Sequence, residues 1–293
     1  MTQKNYNQNA ESTKQEYLRQ AEGFLKRELD AQNVERTAMN ICHALKAWSE
    51  DIRPNTYRKM RAALAYHQFS KKYYKGSFSI ESVQRIGFGE KTGVKKKSCK
   101  HIREDEHRKL LAAVTNKNDV QAKSALILAY HLGLRPAEMT NILPVVLEGD
   151  LLEVNIDGAK YSKTRSIKTR TLYLKLEKKE KQQVLDAINV LLGISTNERK
   201  AMQRRINRLS KKVVFSARIL TPTIYSYRHQ MGSDVKGWKI SSGNKLLSRK
   251  QASAIMGHKS QASLSEYGHA NGASMLKRGI PTPSQDTVEQ VLE

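Results

Sequence analysis

The amino-acid sequence predicts a mainly α protein with a small antiparallel β-sheet, an α+β domain preceded by a separate helical one. Three observations carry this reading. Apolar residues recur at helical spacing through most of the chain. Two segments, 151–156 and 171–176, alternate apolar and polar residues instead. A glycine-punctuated basic stretch with no apolar period interrupts the helical pattern from about residue 87. At 293 residues the chain is long enough for two domains, each with its own core.

In chain order, Tyr17, Leu18, Ala21, Phe24, Leu25 and Leu29 mark a first helix, with Ser12 and Thr13 as cap candidates. Ile41, Ala44, Leu45 and Trp48 mark a second over 34–49. Pro54-Asn55 opens a third, with Tyr57, Met60 and Leu64 on its core side and Arg58, Lys59 and Arg61 facing outward. These elements make residues 1–88 a helical domain. Residues 89–103, with Gly89, Gly93, Lys95, Lys96, Lys97 and Lys100, read as a basic linker, either a solvated connection or a DNA contact.

From 104 to 280 a second domain is expected. Helices are predicted at 104–116, 120–132 and 136–143, then two strands. Leu152, Val154 and Ile156 share one face of the first strand; Leu172, Leu174 and Leu176 share one face of the second. The turn between them is long and densely basic. Helices resume at 178–192, 197–214, 222–236 and 248–256, and residues 281–293 form a tail ending in a short acidic, apolar helical turn.

The balance of 52 Lys+Arg against 28 Asp+Glu gives a formal charge of +24. Such an excess self-repels in the folded state unless a polyanion offsets it, which makes nucleic acid the leading partner. No apolar run approaches the 18 or so residues that span a bilayer, and no membrane association is expected. The polar N-terminus lacks a signal-peptide core, so a cytoplasmic setting is expected. Cys42 and Cys99 stand outside any metal-ligand spacing and read as free thiols.

Four short motifs lie in the second domain: Gly-Leu-Arg-Pro-Ala-Glu at 133–138, Tyr-Ser-Tyr-Arg-His at 225–229, Met-Gly-His at 256–258 and Ser-Glu-Tyr-Gly-His at 265–269. Together they supply two arginines, a histidine and a late tyrosine. Cleaving a phosphodiester without a metal requires an attacking group, cations on the non-bridging oxygens and a proton donor for the leaving oxygen. Arginine suits the second task because its planar fork stays charged and bonds in pairs. Arg135 precedes Pro136, a favoured first helical residue, and so is expected at a helix N-terminus, with Glu138 bracing it. Each motif alone has an ordinary structural explanation: a surface arginine, an aromatic core face, a capping histidine. Arg204, Arg205 and Arg208 lie on the outer face of a helix whose apolar positions are 202, 206, 209 and 213, and read either as solvated or as phosphate contacts.

In this order and spacing, the motifs resemble the tyrosine recombinase (phage-type integrase) family over roughly residues 104–270. The resemblance implies a catalytic domain of that type behind a helical core-binding, DNA-binding domain. It implies Arg135 and Arg228 as the phosphate-clamping arginines, Glu138 as companion, His258 as a phosphate hydrogen-bond or proton-transfer group, and Tyr267 as the nucleophile forming a 3′-phosphotyrosyl link. The family's hairpin lysine, which protonates the leaving oxygen, is assigned to Lys160, with Lys163 a close rival and Lys168 a weaker one. No cofactor and no metal are implied. The implied partners are double-stranded DNA, a homo-tetramer on paired sites, and accessory DNA-bending or directionality factors, with the acidic tail packing into a neighbouring subunit.

The sequence departs from the family pattern in two places. Tyr225 stands where the family has the His of His-x-x-Arg; a phenol donates hydrogen bonds but accepts protons poorly near neutrality. His229 is not expected to substitute, because it lies about 100° around the helix from Arg228. The stretch between Arg228 and His258 is also long, and its residues Lys-Gly-Trp-Lys-Ile-Ser-Ser-Gly-Asn-Lys read as a loop insertion. Two other readings share these features: a type IB topoisomerase-like enzyme, and a non-catalytic DNA-binding protein on an integrase scaffold.

Overall fold

The computed structural model describes residues 11–50, 52–71, 99–159, 166–213, 221–241, 248–267 and 278–292. The chain divides into two compact units, Met1–Lys96 and Lys97–Glu293.

The first unit contains α1 (Glu11–Glu28), α2 (Ala38–Trp48) and α3 (Pro54–Lys71). Their apolar stripes close on one another. Ala21, Phe24, Leu25, Leu29, Ile41, Leu45, Tyr57 and Leu64 are buried, and Phe24 meets Trp48 edge-on at 5.3 Å. Thr37 caps α2, its Oγ1 accepting from Asn40 N–H at 3.1 Å. Arg58 and Lys59 point outward, as the helical spacing requires. Ser12 and Thr13 lie inside α1 rather than before it.

The second unit is built on α5 (Val120–Leu132), which is buried without a break from Ser124 to Leu132 and shows no polar face over that run. Gly133 ends the helix in the left-handed region at φ 59°, its N–H bonded to Ala129 O at 3.0 Å. Around α5 lie α4 (Glu104–Asn116), α6 (Lys178–Leu191), α7 (Thr196–Val213) and α8 (Ile224–Ser241), followed by the short α9 (Arg249–Ile255).

The sheet has four antiparallel strands in the order β1 (Ile142–Val146), β2 (Leu151–Asp157), β3 (Thr169–Lys175) and β4 (Thr282–Pro283). Leu152 pairs with Leu174, Val154 with Leu172, and Ile156 with Arg170, so the alternating residues of β2 and β3 share the inner face. That face packs on the helices, with Leu152, Val154, Ile156 and Leu172 fully buried.

In the second unit the fold differs from the sequence expectation at four places. No helix follows Pro136. Residues 136–140 form turns and 142–146 form the edge strand β1, where Pro144 is tolerated because an edge leaves one N–H row unused. The expected loop insertion after Arg228 is partly helix, since α8 continues to Ser241; residues 242–247 lie outside the described ones. Residues 99–103 join the second unit: Ile102 is in its core and Ser226 Oγ donates to Cys99 O at 2.7 Å. The tail, expected against a neighbouring subunit, packs on its own chain. There β4 pairs with β3, and α10 (Gln285–Glu289) follows, with Thr287 Oγ1 accepting from Thr171 N–H at 2.9 Å. Val291 packs with Ile167 and Ala254.

Candidate active site

Five residues singled out in the sequence meet at one place: Arg135, Glu138, Arg228, His258 and Tyr267. Three elements bring them there. The turn after α5 carries Arg135 and Glu138. Glu138 Oε2 accepts from Arg135 N–H at 2.9 Å, and Glu138 N–H donates to Arg135 O at 2.8 Å. The Arg135 guanidinium returns to Glu138 Oε1 at 2.5 Å, so the expected bracing is present, made by a closed turn rather than a helix N-terminus.

Helix α8 supplies Arg228, 1% exposed. It reaches the turn because Gly133 lets the two backbones approach: a Cβ there would stand 2.5 Å from Met231 Cβ. Arg228 Nη1 donates to Gly133 O at 3.1 Å and lies 3.6 Å from Glu138 Oε2. Its Nη2 donates to Met256 O and faces His258 Nε2 at 3.4 Å. A guanidinium only donates, so Nε2 is the accepting nitrogen of that imidazole. Its Nε donates to Tyr267 Oη at 3.1 Å.

The third element is the turn after α9. Gly257, at φ 68°, lets the chain reverse so that His258 N–H bonds Ser253 O at 2.9 Å. A 3₁₀ turn, Gln261–Glu266, then delivers Tyr267 onto α8.

A further charged group was not singled out in the sequence. Arg170 of β3 is 1% exposed, and its Nη2 donates to Glu138 Oε2 at 3.0 Å. Its guanidinium also lies under Gly257, where a Cβ would stand 2.6 Å from Nη1. The signal was its phase: Arg170 lies two residues before Leu172, on the buried face of a strand. Three guanidiniums therefore surround one carboxylate. Burial alone would raise the Glu138 pKa, but Arg170, Arg228 and Arg135 hold it well below the usual carboxylate range. Burial, with Arg228, Arg135 and Arg170, lowers His258 to about 3, so its imidazole is neutral at neutral pH. The cluster keeps an excess of positive charge after Glu138 is counted, which suits it to hold an anion beside the Tyr267 phenol.

Tyr267 rests on a stripe of α8. Its Cβ and Cγ lie over Gly232, the Arg228 guanidinium is 5.1 Å from its ring centroid, and Lys236 Nζ donates to its carbonyl at 2.6 Å. The rings of His229 and His258 each lie 5.2 Å from the Tyr267 ring. The sequence expectation that His229 faces elsewhere is thus corrected. Tyr267 sits over position 232, about 40° around the helix from 228 and about 60° from 229, and so touches both.

Of the remaining candidates, those that the structure describes lie outside this cluster. Tyr225 is 51% exposed on α8. Lys160 and Lys163 lie outside the described residues, as do Lys95, Lys96 and Lys97. The neck of the hairpin is described: Gly158 N–H donates to Lys168 O at 2.7 Å, and Ser166 bridges to His258. The exposed Lys168 is therefore at the neck. On α7, Arg204 and Arg208 are exposed, whereas Arg205 pairs with Asp119 at 2.6 Å.

No family model and no curated protein matches the chain in sequence. Solved structures do match. A lambda integrase tetramer bound to a Holliday junction aligns over 94% of this chain and 75% of its own, at 13% identity and a TM-score of 0.59. A lambda integrase dimer bound to a COC′ core site aligns over 94% and 76%, at 14% identity and a TM-score of 0.59. XerH recombinase bound to its difH substrate aligns over 88% and 73%, at 13% identity and a TM-score of 0.50. The chain has the fold of the tyrosine recombinases.

Proposed function

We propose that this chain is a site-specific DNA recombinase that cleaves and rejoins DNA through a 3′-phosphotyrosyl intermediate. The observation that carries the reading is the Arg228 Nε to Tyr267 Oη bond of 3.1 Å, inside a cluster of three arginines around Glu138. A scissile phosphate held by Arg135 and Arg228 is thereby presented to the phenol, and the guanidiniums stabilise the charge that builds on its oxygens. Tyr267 Oη bonds to phosphorus as the bond from phosphorus to the 5′ oxygen breaks, and that oxygen takes a proton. Rejoining reverses the step, so the energy of the broken bond is kept in the phosphotyrosine.

The hairpin lysine, Lys160 before Lys163, is assigned as proton donor to the leaving oxygen. The contact between the hairpin neck and His258 supports that assignment. The formal charge of +24 supports duplex DNA as the substrate. Assembly as a tetramer on paired sites, with accessory DNA-bending or directionality factors, belongs to the same reading.

The test uses a nicked duplex carrying the sequence that the protein footprints in DNA flanking its own gene. On a denaturing gel, with EDTA present, wild type yields a slow-migrating covalent adduct and Tyr267→Phe yields none. Occupancy without an adduct from either protein would favour the non-catalytic DNA-binding reading. Relaxation of a supercoiled plasmid lacking the footprinted site would favour the topoisomerase-like one.

A further inference from the structure

The proposed reaction leaves one proton without an acceptor. When Tyr267 Oη bonds to phosphorus its hydrogen must go elsewhere. Among the described residues two imidazoles border the Tyr267 ring, and they are not equivalent. The accepting nitrogen of His258 is engaged by Arg228 at 3.4 Å, and three arginines act on that ring. His229 differs on both counts. Its Nδ1 is buried and has no hydrogen-bond partner among the described residues. Only one of the clustered arginines, Arg228, acts on it.

We infer that His229 is the proton acceptor for Tyr267 during strand cleavage, and returns the proton to the phenol on rejoining. The inference rests on the recombinase reading. In the forward step the bond from Oη to phosphorus forms, the bond from phosphorus to the 5′ oxygen breaks, the phenolic hydrogen passes to the His229 imidazole, and the hairpin donor protonates the leaving oxygen. Tyr225, 51% exposed and a phenol, is poorly suited to that task.

Four groups face His229 among the described residues: Arg228 on its own helix, Lys100 and His101 from the segment before α4, and Tyr267. Burial, then Lys100, Arg228 and His101, lower the His229 pKa, so the ring is neutral at neutral pH and free to take a proton. Gly232 is part of the device, because any side chain there would push Tyr267 off the face it shares with His229.

The test measures single-turnover adduct formation by the full chain on the same footprinted, nicked duplex from neutral into alkaline pH. His229→Gln keeps a polar side chain of similar size but cannot take up the proton. It is expected to cleave roughly 100-fold more slowly at pH 7, with the deficit shrinking at alkaline pH as hydroxide takes the proton instead. His229→Ala is expected to regain rate on addition of imidazole, in proportion to its free base. A deficit constant across pH, with no imidazole rescue, would assign His229 a structural role and overturn the inference; so would an unimpaired His229→Gln. If the wild type forms no adduct on a duplex it occupies, the recombinase reading fails, an outcome separate from any behaviour of the His229 variants.

Discussion

Tyr267 lies directly on Gly232: a methyl group at position 232 would stand 2.5 Å from Tyr267 Cβ and 3.2 Å from its Cγ. Gly232 is inside α8, where glycine costs about 1 kcal/mol of helix stability relative to alanine. The glycine is therefore explained by the tyrosine above it rather than by the helix.

Gly232→Ala is accordingly expected to separate stability from activity. The helix gains propensity, so the melting temperature should hold or fall only slightly, while Tyr267 must shift. A displacement of about 1 Å in a reacting group can cost around 100-fold in rate. Melting curves read beside adduct rates check this.

Glu138 is the hub of the cluster, and its loss leaves three guanidiniums without their shared carboxylate. Glu138→Gln is expected to cost about 3–5 kcal/mol, as for other broken buried ion pairs. For a chain of this size that lowers the melting temperature by about 10 °C. Arg170→Met should couple to it: once Glu138 is neutral, removing Arg170 costs less than it does in the wild type, which a double-mutant cycle measures.

Three buried histidines among the described residues of the second unit weaken it toward acid pH. Burial, then Arg278 and Arg108, lowers His107 to about 4. Burial, then Arg278 and His107, lowers His131 to about 4. His258 is lowered to about 3. A group whose folded pKa is depressed takes up its proton more readily when unfolded, so its contribution is complete above the unfolded value of about 6.5. Stability should fall as pH drops from about 6.5 toward 4. Denaturant titrations at several pH values test this, and a flat profile over that window would count against it.

The arginines of α7 are expected to differ although they are neighbours. Arg204 and Arg208 are exposed, and replacing either with alanine should weaken DNA binding and reduce the salt slope by about 0.9 if it contacts one phosphate. Arg205 is held by Asp119 and by Gln121 Oε1 at 3.1 Å. Arg205→Ala should chiefly loosen α7 from the start of α5, with a smaller change in the salt slope. Binding titrations over a range of salt concentrations, read beside melting curves, distinguish the two.

Much of this arrangement was legible in the sequence. The inward faces of β2 and β3 followed from strict alternation, and α4 and α5 from their apolar spacing. The pairing of Arg135 with Glu138 followed from their separation. Local pattern failed where a long-range contact decided the outcome. The Glu138 side chain turns back to the Arg135 N–H, closing a turn where Pro136 suggested a helix. Arg170 was hidden in a basic run, although its phase with Leu172 marked it as buried. Helix geometry alone turns His229 about 100° away from Arg228; where Tyr267 lands on that helix is a tertiary fact. The tail's docking depends on β4 pairing with β3, and a two-residue strand has no periodicity to read.

The covalent chemistry can be read from the protein itself, by digesting enzyme trapped on its nicked duplex and identifying the nucleotide-bearing peptide by mass spectrometry. One modified residue is expected, Tyr267, joined through its phenolic oxygen to a 3′ phosphate. A nucleotide on any other residue, or attachment through a 5′ phosphate, would contradict the assignment of Tyr267 as the nucleophile of a recombinase.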